Sequence, residues 1–107
     1  MILMYAMIGK LTAKAGKRDQ LKEILLRASE RVSDHPGCRA YLVFEDVQDE
    51  ATVQVFEVWD DRESHDASLK DETVRALIAE AMPILGGAPS GSELRLTGGL
   101  GTDLFEP

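Results

Sequence analysis

The chain has 107 residues, 44% of them apolar and 29% charged, the balance of one folded domain and not of a disordered segment. A net charge of -7 disfavours roles that gather phosphates, so neither nucleic acid nor an anionic membrane is expected as a partner. The single cysteine cannot close an internal disulfide, and the apolar start is too short for a membrane span and lacks the basic lead of a signal peptide; a cytoplasmic location is expected.

Residues 2 to 12 read as a first strand, with Tyr5, Met7, Gly9 and Leu11 on one face and Met4, Ala6 and Ile8 on the other. Both faces are apolar, so the strand should be covered on both sides. The Ala15-Gly16 pair closes it. From Lys17 to Ser33 the period changes: Leu21, Ile24, Leu25, Ala28 and Val32 recur at three and four residues, the stripe of an amphipathic helix. His35-Pro36-Gly37 ends that helix, and His35 reads as a turn residue near its C-terminus.

Cys38 to Asp46 forms a second strand, in which Cys38, Ala40, Leu42 and Phe44 alternate with Arg39, Tyr41, Val43 and Glu45. Cys38 reads as a small core residue and not as a nucleophile. A polar connection, Asp46 to Ala51, leads by a hairpin into a third strand. There Val53, Val55, Glu57 and Trp59 share one face, which sets a carboxylate and the sole tryptophan side by side. Asp60 reads as the N-cap of the next helix, with Glu63 completing a capping box. In that helix His65, Ser68 and Leu69 fall on one face, and Leu69, its one large apolar residue, predicts that the face turns inward.

Asp71 or Thr73 caps a further helical piece with a buried stripe of Val74, Leu77, Ile78, Ala81 and Met82. Pro83 and Gly86-Gly87 end it, residues 88 to 92 read as a loop, and Glu93 to Thr97 as a short last strand with Leu94 and Leu96 on one face. The order is strand, helix, strand, strand, helix, strand. Short connections and right-handed crossovers make this an α+β, ferredoxin-like βαββαβ sheet with its helices on one face. Residues 1–97 form the domain; 98–107 are a tail that either frays or docks on a partner subunit. The helix-free face, carrying Met4, Ala6, Ile8, Tyr41, Val43, Phe56 and Val58 according to register, is too apolar to stay wet. Stacking two such sheets in a homodimer would bury it.

Three stretches carry a resemblance: 11–25, LTAKAGKRDQLKEIL; 35–46, HPGCRAYLVFED; and 56–69, FEVWDDRESHDASL. Together they resemble the antibiotic biosynthesis monooxygenase family of dimeric α+β barrels, which includes quinol monooxygenases. The resemblance implies a pocket between helices and sheet in each subunit of a homodimer. It also implies a cofactor-independent monooxygenase, with no flavin, haem or metal, acting on a phenolic or quinol substrate with dioxygen. Trp59 matches the family tryptophan, a wall or stacking surface for the substrate, and Glu57 matches the family glutamate. Many relatives carry their helix histidine near the position of Ser68; His65 lies one turn earlier. Gly9 stands about where the haem-degrading branch has an asparagine.

Trp59 and His65 are thus the candidate catalytic residues, with Glu57, Tyr5, Ser68 and Leu69 as candidate substrate contacts. Each has a plainer reading. Trp59 can be a core anchor, His65 a half-exposed residue bonded to Asp61 or Ser68, Glu57 the structural partner of Arg39, and Tyr5 an ordinary strand aromatic. The alternatives to the monooxygenase are a non-redox enzyme or small-molecule binding protein on the same barrel, and a haem-degrading monooxygenase. No glycine-rich phosphate loop and no cluster of histidine and cysteine ligands is present, so neither flavin nor metal is expected.

Overall fold

Strand β1 (Met4–Thr12) lies at the centre of a four-stranded sheet in a computed structural model that describes residues 4–106. The expected first positions of that strand, residues 2 and 3, lie outside the described residues. Helix α1 (Arg18–Val32) follows, then β2 (Cys38–Glu45), β3 (Thr52–Trp59), α2 (Arg62–Ser68), α3 (Glu72–Ala81) and β4 (Ser90–Leu96). The sheet order is β2-β3-β1-β4 with every neighbouring pair antiparallel, the ferredoxin-like arrangement. The five α1 positions read from periodicity are its five buried residues.

Register decides which side chains meet the helices. Tyr5 pairs with Trp59, Met7 with Glu57, Gly9 with Val55 and Leu11 with Val53, so all eight face α1 and α3. Leu21, Ile24, Leu25, Ala28, Val53, Val55, Leu77 and Ala81 form the main core there. Leu21, Ile24 and Val53 are almost wholly buried, each stabilising by about 1.5–3 kcal/mol.

Strand β2 departs from simple alternation. Cys38 pairs with Trp59 and Ala40 with Val58, so Arg39 is an extra residue, a bulge. Its guanidinium reaches Asp60 through bonds of 2.7 and 3.1 Å. The bulge turns Cys38 to the helix side, where it packs against the cluster of Val32, Trp59 and Val74. Tyr41 and Val43 pair with Glu57 and Val55 and therefore also face the helices, not the open face to which the alternation read them. The open face instead carries Ala40, Leu42 and Phe44 beside Phe56 and Val58. Burial raises the Cys38 thiol pKa, helped by Glu57, which makes it a weaker nucleophile.

Two aspartates compete for the start of α2, and Asp61 wins. Its backbone is extended and its carboxylate accepts from Ser64 N–H at 2.7 Å, whereas Asp60 is held by Arg39. The Asp60–Glu63 capping box is therefore not formed. Gly37 closes the approach from the other side: its φ is +86°, and a Cβ there would stand 2.6 Å from Ser64 Oγ.

Asp71 caps α3 as read, accepting from Thr73 N–H at 2.8 Å and Val74 N–H at 3.3 Å. The same carboxylate binds His35 Nε2 at 2.7 Å and Arg31 Nε at 2.9 Å, so His35 clasps the end of α1 to the start of α3. The His35 bond, with the Thr73, Val74 and Arg31 bonds behind it, outweighs burial and holds Asp71 at about 2. A depressed carboxylate contributes stability above its ordinary value of about 4 and loses it as pH falls through the folded value. Urea unfolding from pH 5 down to about 2 is thus expected to narrow the gap between wild type and Asp71→Asn, which keeps a capping oxygen but not the charge. A gap that stays constant over that range would contradict the clasp.

The start of the last strand departs from expectation. Strand β4 starts at Ser90, three residues early, because Ser90–Ser92 pair with Lys10, Gly9 and Ile8. Gly91 permits this approach, since a Cβ would meet Ile8 O at 2.6 Å. The tail makes a 3-10 turn, Thr102–Phe105, and lays Phe105 against Phe56 with ring centroids 6.3 Å apart, while Leu100 and Leu104 stay exposed. Phe105 thereby covers part of the helix-free face around Met4, Ala6 and Val58.

Candidate functional site

Between α1, α3 and the sheet lies a cavity of about 570 Å³. Its floor follows the strand rows. One row, Glu93–Met7–Glu57–Tyr41, is polar at three of its four positions; the next, Gly91–Gly9–Val55–Val43, has no side chain at its first two. The roof is aliphatic. Ile78 and Met82, read as buried, are 47% and 57% exposed because they overhang this space instead of filling a core.

His65, Ser68 and Leu69 line the cavity together with Glu57. The face of α2 does turn inward, but by His65 and Ser68, at 6% and 2% exposure; Leu69 sits at the C-cap and stays 45% exposed. His65 Nδ1 meets Asp66 Oδ1 at 3.0 Å, not Asp61 or a Ser68 hydroxyl, and Nε2 has no partner among the described residues. The Ser68 hydroxyl donates to the backbone oxygen of His65 at 2.6 Å, which fixes the turn carrying the imidazole.

Trp59 does not line the cavity. It is 0% exposed, packed with Val32 and Val74, and stands edge-on to the His65 ring at 5.9 Å. Its Nε1–H donates to Glu57 Oε1 at 3.1 Å. That bond replaces the expected Arg39–Glu57 pair, since Arg39 is committed to Asp60. Burial raises the Glu57 pKa above the ordinary carboxylate value, against the Trp59 bond and the nearby His65, which favour the charged form.

Tyr5 also lies off the cavity. Its ring flanks His65 at 5.4 Å, and its hydroxyl donates to Glu93 Oε2 at 2.9 Å. Burial, then the Glu93 bond, pushes its pKa up to about 12. The residue missed by sequence reading is Tyr41, which lines the cavity opposite Glu57 and whose pKa burial raises further still. Only the bulge at Arg39 reveals its side.

The arrangement sets a buried imidazole and a half-buried carboxylate at one end of an apolar space, as acid–base chemistry on a small apolar molecule requires. Among the described residues no three histidine, cysteine, aspartate or glutamate side chains converge as a metal site would need. None of the described helices is long and apolar enough to cross a membrane.

Residues 4–80 match the family model described as antibiotic biosynthesis monooxygenase. Among solved structures, a "putative Antibiotic biosynthesis monooxygenase" from Chloroflexus aurantiacus J-10-fl is 39% identical, with TM-score 0.81, over 92% of this chain and 97% of that one. Rv0793 from Mycobacterium tuberculosis is 18% identical with TM-score 0.81, covering 91% and 98% of the two chains; it shares the fold. So does a conserved protein from Methanosarcina mazei Go1, 17% identical with TM-score 0.83, over 90% and 95%. None of the curated proteins compared matches the chain.

Proposed function

The chain belongs to the antibiotic biosynthesis monooxygenase family, and on that premise we propose that it is a cofactor-independent monooxygenase of a phenolic or quinol substrate. The observation that carries this reading is His65, an imidazole whose Nε2 has no partner among the described residues, on the wall of an apolar cavity beside a half-buried Glu57. With Nδ1 engaged by Asp66, Nε2 is the nitrogen that takes the hydroxyl proton. The phenolate passes an electron to dioxygen, and a carbon–oxygen bond then joins the two. A quinol and one dioxygen give a hydroxylated quinone and one water, so the substrate is its own reductant. Trp59 acts from beneath, holding Glu57 in place, and Tyr5 braces the imidazole.

Oxygen uptake by the purified protein with a panel of quinols, no cofactor added, tests the proposal. Binding without uptake would favour the non-redox ligand-binding alternative. Haem fits less well, because no lysine or arginine among the described residues lines the cavity to receive its propionates. A Soret shift on adding haem would reverse that judgement.

The reading includes a homodimer and a domain of residues 1–97. Leu42 and Phe44 stay 45% and 49% exposed on the helix-free face, beside Ile8 and Leu94, an apolar strip that a second sheet would cover. Phe44→Asp is expected to give a folded monomer by sedimentation, whereas the wild type sediments as a dimer. Val58 is the wrong probe, being 0% exposed within one chain, and Val43 faces the helices. A wild-type monomer at micromolar concentration would rule the dimer out.

A further inference from the structure

We infer that the substrate is an uncharged phenol or quinol bearing an extended apolar substituent, and that the adjoining glycines Gly9 and Gly91 make the trough that receives it. This rests on the phenol reading of the site and adds what the rest of the molecule must look like.

The cavity is graded along the strands. Glu57, Tyr41 and Glu93 share one row, with His65 above Glu57's end; two residues further along β1 the floor is Gly9 against Gly91, and beyond it stands Leu11. Met7 to Leu11 spans about 13 Å of strand, more than a single phenol ring covers. Over that length the walls are Ile24, Leu25, Leu77 and Ile78. A lone hydroquinone would leave most of the 570 Å³ unfilled. A ring at the polar row with an alkyl or fused-ring substituent along the trough fills it.

The glycines are not interchangeable. A Cβ at Gly91 collides with Ile8 O, so backbone packing accounts for that residue. At Gly9 a Cβ meets nothing within 4 Å, and φ there is ordinary for a strand, so neither sterics nor backbone demands glycine. A central strand disfavours glycine, and what the missing side chain leaves is open floor.

Charge sharpens the preference. The lining groups that can carry charge are Glu57, Glu93 and His65; among the described residues no lysine or arginine joins them. Glu93 is already matched by Tyr5 and by Arg62, whose Nε lies 3.4 Å away. A carboxylate or phosphate on the ring would therefore enter beside Glu57 with no lysine or arginine among the described residues to meet it.

The test is calorimetric binding under anaerobic conditions, so that affinity is read without turnover. Hydroquinone is compared with alkylhydroquinones of growing chain length and with an alkylhydroquinone carrying a ring carboxylate. Affinity is expected to rise by about fourfold per added methylene until the trough is full. The ring carboxylate is expected to weaken binding by about tenfold or more. Gly9→Val, with folding checked by circular dichroism, should abolish the chain-length gain, and a gain that survives it would remove Gly9 from the trough. Affinity independent of chain length in the wild type, or equal binding of the carboxylate, would overturn the inference. Graded binding without any oxygen uptake in air would leave the trough standing and remove only the oxygenase reading.

Discussion

Replacing His65 by alanine is expected to lower quinol-dependent oxygen uptake by ~100- to 10,000-fold, the span of a positioned general base. The loss should appear in kcat with little change in KM, because the proton moves only in the transition state. The imidazole sits between Tyr5 and Trp59 with 6% of the residue exposed, so the truncation also leaves a small void. His65→Gln, which preserves most of the volume, separates the two effects: it should recover stability but not turnover. Oxygen-electrode kinetics with circular dichroism on both variants decide the matter. Unchanged oxidation by His65→Ala would take this residue out of the mechanism.

The second large effect concerns stability. Trp59→Ala is expected to cost about 3–5 kcal/mol in urea unfolding, since the side chain is wholly buried among Val32, Val74 and Tyr5. It also strips Glu57 of its indole donor and leaves a half-buried carboxylate without it. Trp59→Phe keeps most of the ring volume and loses the donor, so it should fold but show an altered pH profile of turnover. A Trp59→Ala protein within about 1 kcal/mol of wild type would mean that the ring is not the anchor its burial implies.

Much of this was legible beforehand, and the failures have definite causes. The α1 stripe and the shared face of Val53, Val55, Glu57 and Trp59 follow from periods that packing enforces. The β2 register did not follow, because alternation assumes one residue per step and Arg39 breaks that step. Which of two adjacent aspartates caps α2 depends on a partner far along the chain, Arg39, which draws Asp60 away. Apolar alternation starts β4 only at Glu93, because Ser90–Ser92 lie at an exposed sheet edge and show none. Of the candidate residues, His65, Glu57, Ser68 and Leu69 line one cavity, while Trp59 and Tyr5 lie behind it. Periodicity tells which side chains face one another, not whether anything fills the space between them. Ile78 and Met82 therefore read as core when they roof a void.

The most direct test of the central claim is turnover of an alkylhydroquinone under isotopically heavy dioxygen, followed by mass spectrometry of the product. One labelled oxygen atom is expected to enter the quinone and the other to leave as water, with no cofactor added and no hydrogen peroxide released. Quinone formed without label, alongside peroxide, would make the protein an oxidase and contradict the account.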